Sequence, residues 1–539
     1  MHLHEAVARA LCDLGVDTIF GVLGDANLFM MDSFTRFGGR YVSVANEMAA
    51  VLAANGYAQV SGRLGVATVT HGPALTNTVT ALYEAVKERT PLLVLAGDTA
   101  AVDRENFQRL AQREAVAPTG AGFEQVRAPF TAQDDLLTAV RRAHAERRPV
   151  VLNIPVDYQW ESVDQVLLER LPVAPQATAP SPEAMDAAVG AIASARRPVV
   201  LAGRGASNAS SRAALLRLAT RIGAPVATTL RGKDLFQGEP NDLGICGTLS
   251  NELASRVLSA SDCIIAFGAG LNRLTTLDGA LVSGKRLVHV DVDRASINLH
   301  TTASVGVVGD AAAVADELVR WLDEAEVPAT AYAATAFAGG LSGPGDLPRA
   351  DVSTNQTVDL VTALERIDAA FPADRTLVLD GGRFVFSAYT RLRVPHPTAY
   401  VHTVNFGSIG LGMGHAIGAA FGEPDRPVLL VTGDGGFMLG GITEFSTAVR
   451  HGQDLVVVVL NDGAYGAEHI QFRKRGLDPA LATFAWPELG PVATALGGRG
   501  HTVRNLAELD AACAMLESRD RPVLIDIKID PDRVSMGGH

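Results

Sequence analysis

In the last third of the chain, two unbroken apolar runs each end in a short polar segment. Pro427 to Thr432 runs into Gly433-Asp434-Gly435-Gly436, and Leu455 to Leu460 runs into Asn461-Asp462-Gly463. Each run reads as a buried strand, and the segment between them carries Met438, Ile442, Phe445 and Val449 at helical spacing. Adjacent strand ends then present Asp434 and the side-chain oxygen of Asn461 side by side. Such hard donors suit Mg²⁺, which takes oxygen ligands in an octahedron and keeps positions for phosphate oxygens. A helix starting at Gly436 adds free N–H groups and a positive dipole end for those phosphates. Gly435 and Gly436 allow close backbone approach. Gly440 and Gly441 each cost about 1 kcal/mol inside a helix, which points to something large lying against it. Taken singly, each segment is also an ordinary Asp-Gly turn at a strand end.

The elements that must position these residues are α/β layers. Arginine and proline ahead of an apolar run recur at Arg148-Pro149, Arg197-Pro198, Arg426-Pro427 and Arg521-Pro522, with Arg89-Thr90-Pro91 as a variant. Proline sits at the strand entry, where no ladder donor is needed, and the continuous apolar run suits a strand covered on both faces. Helical segments between such strands mean parallel sheets. Two stretches break the alternation: proline-rich Leu171 to Pro182, and Glu324 to Asn355, rich in Ala, Gly and Pro. Read as linkers, they divide the chain into 1–170, 183–325 and 355–539, three doubly wound parallel-sheet modules.

Composition agrees. A chain of 539 residues carries a prior of three to four domains, and 47% hydrophobic residues fill several cores. The net charge of −13 excludes a phosphate-neutralising surface and with it a nucleic-acid partner. With 19% charged residues and 53 glycines the chain is neither a coiled coil nor mainly disordered. Cys12, Cys246, Cys263 and Cys513 form no CxxC pair, so neither a zinc ribbon nor a disulfide framework is expected, and a reducing cytoplasm is the simplest setting. The start puts Val7, Leu11 and Leu14 at helical spacing beside His4, Glu5 and Arg9, unlike a signal peptide. The longest clean apolar run, Leu455 to Leu460, is far short of the roughly 20 residues of a membrane helix, so no membrane partner is expected.

The order Gly-Asp-Gly, helix, strand, Asn resembles the fingerprint of enzymes that bind thiamine diphosphate (ThDP). The resemblance implies that Asp434, Asn461 and the backbone carbonyl of Gly463 hold the magnesium that clamps the diphosphate, with Gly433, Gly435 and Gly436 beside it. It also calls for a glutamate at a helix start in the first module. Asn46-Glu47-Met-Ala-Ala-Val-Leu-Ala-Ala-Asn-Gly56-Tyr57-Ala58 is similar to the family pattern there, although Glu47 after an Asn cap also suits any helix N-terminus. In the family this carboxyl bonds the pyrimidine ring nitrogen and stabilises the imino tautomer, whose nitrogen removes the thiazolium C2 proton.

Further likeness extends over nearly the whole chain, to the acetolactate synthase, benzoylformate decarboxylase and pyruvate decarboxylase group. Gly407-Ser408-Ile409-Gly410 resembles the segment whose carbonyl, here that of Gly407, receives the pyrimidine amino group and whose bulky residue, here Ile409, bends the cofactor. Asp380-Gly381-Gly382-Arg383 matches the place of the first diphosphate contacts, which implies roles for Gly382 and Arg383. His71-Gly72-Pro73-Ala74-Leu75-Thr76-Asn77 looks like the loop beside the reacting carbon; His71 there could act as acid or base, or could simply pack between strands. Gly24-Asp25-Ala26-Asn27 resembles simple decarboxylases, in which the Asp helps protonate the intermediate. The tandem histidines of those enzymes are missing. Phe107-Gln108 resembles instead the acetolactate-synthase arm that reaches a neighbouring site. Glu468 is a candidate substrate-facing residue, one residue farther along than the usual spacing.

In the middle module, Gly203-Arg204-Gly205 and Gly268-Ala269-Gly270 leave Gly-x-Gly-x-x-Gly incomplete. Acetolactate synthases hold FAD in this module, but Leu271-Asn272-Arg273-Leu274 stands where they carry Arg-Phe-Asp-Asp, which speaks against flavin. The resemblance implies a ThDP- and Mg²⁺-dependent enzyme that decarboxylates a 2-oxo acid and passes the resulting carbanion to an acceptor carbonyl, working as a homodimer or homotetramer. Non-ligating decarboxylation is the alternative that Asp25 favours. A non-catalytic nucleotide-binding regulatory protein and a flavin oxidoreductase are alternatives of other classes. Intact Glu47, Asp434 and Asn461 argue against the first, and colourless purified protein would exclude the second.

Overall fold

The computed structural model describes residues 1–100, 102–164, 178–337 and 350–533. Three six-stranded sheets carry the fold. The first runs, edge to edge, Arg40–Ser43, Thr18–Gly21, Gly65–Val69, Leu92–Asp98, Pro149–Pro155, Gly122–Gln125, with parallel pairing throughout. The second runs Val305–Val308, Arg286–Asp291, Cys263–Phe267, Pro198–Ala202, Val226–Thr228, Asp242–Ile245, again parallel. The third runs Tyr400–His402, Thr376–Leu379, Val428–Gly433, Leu455–Asn461, Val523–Lys528, Arg499–Val503, and its described registers are parallel. The strands expected after each proline are present. Pro149–Pro155, Pro198–Ala202 and Leu455–Asn461 are buried along their whole length, as strands covered by helices on both faces must be.

In each sheet there is a point where the chain leads off from two neighbouring strands in opposite directions. In an open parallel sheet such a point leaves a crevice outside the carboxyl ends of the two strands that part there. The parting strands are Thr18–Gly21 and Gly65–Val69 in the first sheet, Pro198–Ala202 and Cys263–Phe267 in the second, and Thr376–Leu379 and Val428–Gly433 in the third. The residues just beyond them are Gly24-Asp25 and His71, Gly203 and Gly268, and Asp380 and Asp434.

The chain divides into two compact units, one holding the first and third sheets and the other the middle sheet together with residues 386–400. Within the first unit, helix Glu47–Ser61 packs on helix Gly412–Gly422. A Cβ on Gly56 would lie 2.1 Å from the His415 carbonyl oxygen, and one on Gly418 would lie 1.8 Å from that of Ala53. Small residues are what let the two backbones meet. Asn55 and His415 share a buried hydrogen bond of 3.1 Å across the contact.

The segment after Glu324 differs from a plain linker. Tyr332–Phe337 is helical and buries Tyr332, Ala333 and Ala336, and the Tyr332 hydroxyl donates to the Val257 carbonyl at 2.6 Å. An alanine-rich stretch with one aromatic anchor thus joins the middle core. Residues 338–349 of that segment, and 171–177 of the other expected linker, lie outside the described residues. No helix among the described residues is long and apolar enough to cross a membrane.

Candidate active site

At the carboxyl ends of the third sheet's strands, Val428–Gly433 delivers Asp434, 1% exposed, into the first turn of a helical run. The neighbouring strand ends at Asn461, whose side-chain oxygen accepts from the Gly463 N–H at 3.1 Å and whose amide donates to Asp526 at 2.8 Å. That hydrogen bond fixes the amide so that its oxygen faces the Gly463 turn. Burial pushes Asp434 well above the usual carboxylate range, and the neighbouring Asp462 carboxylate adds to the shift; burial likewise pushes Asp462 up. A buried carboxylate crowded by a half-buried one is what a divalent cation relieves. The donor set is a carboxylate, an amide oxygen and the Gly463 carbonyl, all hard oxygens, and it fits Mg²⁺. The helix from Asp434 has one wide turn, Phe437–Gly441, before Ile442–Arg450. A Cβ on Gly441 would meet the Phe437 ring at 2.6 Å, while what lies against Gly440 is the protein's own backbone, since a Cβ there would meet the Gly410 carbonyl oxygen at 2.2 Å.

That contact seats the Gly407–Gly410 loop beside Asp434. Asp380, 1% exposed, staples the arrangement by accepting from the N–H groups of Gly381 (2.7 Å) and Gly410 (3.1 Å) and from the Thr432 hydroxyl (3.0 Å). Burial pushes Asp380 up to about 6. Gly407 has a left-handed φ of 82°, and Ile409 lies against Gly381. Gly382 precedes Arg383, which is buried. Its guanidinium donates to the carbonyls of Gly466 (3.0 Å) and Pro531 (2.5 Å), and its Nε has no hydrogen-bond partner. Glu468 stands exposed in the first turn of Gly466–Lys474, on the loop that follows Gly463.

Asp25, His71 and Gln108 gather beyond the carboxyl ends of the first sheet's strands. The Thr70 hydroxyl contacts His71 Nδ1 at 3.2 Å and accepts from the Ala26 N–H at 3.4 Å. Asn27 holds the Gly24-Asp25 turn by accepting from the Gly24 N–H at 2.8 Å, leaving the Asp25 side chain exposed. The Gln108 carbonyl packs on Gly72, where a Cβ would come within 2.2 Å. Gln112 accepts from the Gly72 N–H at 2.9 Å and donates to the Gly97 carbonyl at 2.8 Å, tying the His71 turn to the next strand end. Glu47 opens its helix after Asn46, whose side chain caps Ala49 N–H at 2.9 Å. Asn77 donates to Glu47 Oε2 at 3.0 Å, which brings the far end of the His71 loop beside this carboxyl. In the middle sheet the two parting strand ends close on each other, and the Gly205 N–H donates to the Gly268 carbonyl at 3.0 Å.

An aromatic brace around the cation corner has no local signature. Trp486 Nε1–H donates to Asp434 Oδ2 at 2.8 Å, and the Phe484 N–H donates to the Gly463 carbonyl at 2.7 Å. Phe484 stacks on Trp486 and meets Tyr465 edge-on, each pair at 4.7 Å. The brace orients two of the three donors and leaves a second oxygen or lone pair on each for the cation. Loss of such outer-shell support costs roughly 10- to 100-fold in metal affinity. Trp486→Phe is therefore expected to weaken Mn²⁺ binding by about 10-fold or more, as read by electron paramagnetic resonance; unchanged affinity would leave Trp486 as packing alone.

Residues 1–117 match the N-terminal TPP binding domain of thiamine pyrophosphate enzymes, residues 185–318 their central domain, and residues 380–527 their C-terminal TPP binding domain. The chain is 29% identical to a probable 2-ketoarginine decarboxylase of Pseudomonas aeruginosa, over 94% of this chain and 90% of that protein. It is 27% identical to a probable acetolactate synthase large subunit of Methanocaldococcus jannaschii, over 98% and 92%. It is also 27% identical to a sulfoacetaldehyde acetyltransferase of Alcaligenes xylosoxydans, over 94% and 89%. With all three domains matched in order, and with the Asp434–Asn461 corner inside the matched C-terminal domain, the chain belongs to the thiamine pyrophosphate enzymes.

Proposed function

We propose that the chain is a ThDP- and Mg²⁺-dependent enzyme that decarboxylates a 2-oxo acid and transfers the resulting fragment to an acceptor carbonyl, as an acetolactate synthase-like carboligase does. The reading rests above all on the three-oxygen corner of Asp434, Asn461 and Gly463 at the carboxyl ends of two adjacent parallel strands. When bound, the cofactor supplies the electron sink for breaking the bond to CO₂. Asp434, Asn461 and Gly463 would hold the metal, and the backbone around Gly433, Gly435 and Gly436 would hold the diphosphate. Gly382 and Arg383 lie beside them, the latter setting the Gly466 loop. The Gly407 carbonyl would accept from the aminopyrimidine, and Ile409 would lie against the cofactor. Glu47, whose Oε2 accepts from Asn77, has a second oxygen that would hold or release a proton at the pyrimidine ring. His71, Asp25 and Gln108 are the substrate-side groups of the first module, and Glu468 is that of the third.

Group transfer agrees with the synthase and acetyltransferase among the relatives. Non-ligating decarboxylation is the second reading, favoured by Asp25 and His71 following the carboxyl ends of two neighbouring strands as two proton carriers. Supplying pyruvate and then a panel of 2-oxo acids with ThDP and Mg²⁺, and identifying the carbon products along with CO₂, separates the two. A ligated product supports the first reading, and an aldehyde as sole product supports the second.

We further propose that the working site lies between two chains. Glu444 binds the backbone just ahead of Glu47 in the same chain and stands ten residues after Asp434. At 1.5 Å per helical residue, this holds one chain's Glu47 end on the order of 15 Å along the helix from its own metal corner. A cyclic dimer would pair each Glu47 with the partner's corner. Mixing inactive Glu47→Gln and Asp434→Ala chains, with subunit exchange, should then restore up to about a quarter of wild-type activity. No recovery despite demonstrated exchange would show that each chain builds its own site.

A further inference from the structure

Glu444 and Glu84 are two fully buried carboxylates, each 0% exposed, that bind backbone far away in sequence. Glu444 belongs to helix Ile442–Arg450, and its Oε1 accepts from the N–H groups of Ala45 (2.9 Å) and Asn46 (3.1 Å) and from the Asn46 side-chain amide (3.2 Å). Its Oε2 accepts from the Thr447 hydroxyl at 2.9 Å. Glu84 belongs to helix Val79–Glu88 and does the converse. Its Oε1 accepts from the N–H of Asn405 (3.1 Å) and from that residue's side-chain amide (2.6 Å), and its Oε2 from the N–H of Phe406 (2.7 Å). The third module thus grips the segment that ends at Glu47, and the first module grips the segment that ends at Gly407.

Burying a carboxylate is expensive unless donors satisfy it, and a neutral side chain would pack as well. Bonds from N–H groups to an ionised acceptor are roughly twice as strong as neutral ones, so they fix position tightly. Asn46 relays the grip, because its Oδ1 caps the helix that Glu47 opens while its backbone and amide are held by Glu444. On the other side, Asn405 and Phe406 lead directly into Gly407, whose φ of 82° aims the loop.

We infer that Glu444 and Glu84 are reciprocal positioning residues: Glu444, through Asn46, sets the place of the Glu47 carboxyl, and Glu84 sets the place of the Gly407 carbonyl. This rests on the proposal that Glu47 and Gly407 face the pyrimidine of ThDP. A displacement of about 1 Å in a reacting geometry costs up to about 10²-fold in rate. Bulk metal and diphosphate binding, which depends on the separate Asp434 corner, should be nearly spared.

The test uses the full-length holoenzyme saturated with ThDP and Mg²⁺, reading C2–H exchange of the bound cofactor by NMR after quenching, with ThDP affinity by calorimetry. Glu444→Ala is expected to slow exchange by about 10- to 100-fold, with ThDP affinity changed by less than about 3-fold. Glu444→Gln keeps an oxygen acceptor for Ala45 and Asn46 and should return exchange to within about 3-fold of wild type. Glu84→Ala should slow exchange in the same range. Asn46→Ala, which cuts the relay but leaves Glu444 in place, should also slow exchange and serves if Glu444→Ala does not fold. Wild-type exchange in Glu444→Ala or Asn46→Ala, or equal slowing in the Ala and Gln variants of Glu444, would overturn the inference. Failure of the wild-type chain to bind ThDP would instead strike the proposed function.

Discussion

Replacing Asp434 by alanine is expected to abolish metal-dependent retention of ThDP while leaving the fold intact. Asp434 is the only charged member of the proposed donor set, and Asn461 and Gly463 alone cannot balance a divalent cation. Loss of a direct ligand should exceed the 10- to 100-fold cost of losing outer-shell support, so a drop of more than about 100-fold in metal-supported affinity is expected. On the metal-free chain two effects oppose each other. Alanine removes a buried carboxylate that Asp462 crowds, which is favourable, but it leaves the Trp486 indole N–H without its acceptor, at a cost of about 1–3 kcal/mol. Calorimetric titration of ThDP with Mg²⁺ present decides the matter, and undiminished affinity would remove the metal assignment.

Glu47→Gln is expected to slow C2–H exchange of bound ThDP by on the order of 10² to 10⁴, the usual worth of general acid–base catalysis. The amide preserves shape and still offers an oxygen to Asn77, so the helix start and the loop beside it stay in place. What it loses is the capacity to hold and release a proton at the ring nitrogen. Binding should therefore change far less than exchange. A wild-type exchange rate in this variant would reduce Glu47 to a helix-start residue.

The parts of this molecule that are legible in its sequence are those written in neighbouring residues. Proline at the entry of an apolar run marks Pro149–Pro155 and Pro198–Ala202, because burial on both faces demands that composition. The alanines and glycine after Glu47 read as a helix and also record its contact with Gly412–Gly422, where a side chain at Gly56 would strike the His415 backbone. Asp434 and Asn461 are readable as a pair because each directly ends a strand. The supports of the site are not readable this way. Glu444 and Ala45 stand 399 positions apart, and Trp486 stands 52 from Asp434, so no spacing rule joins them. Gly440-Gly441 shows the limit from the other direction. The pair does signal a close neighbour, but one glycine cannot say whether that neighbour is a ligand or, as here, the backbone of Gly410. Tyr332–Phe337 is hidden for a similar reason, since its small residues join the middle core through a single aromatic anchor.

The most direct measurement is the rate at which ThDP exchanges its C2 proton when bound with Mg²⁺ to the wild-type chain, compared with ThDP free in the same buffer. It needs no knowledge of the 2-oxo acid or the acceptor. If Glu47 drives a proton relay on a cofactor held at the Asp434–Asn461 corner, bound ThDP should exchange at least about 10²-fold faster than free ThDP, and chelating the metal should abolish the difference. Exchange at the free-cofactor rate, with ThDP demonstrably bound, would contradict that assignment.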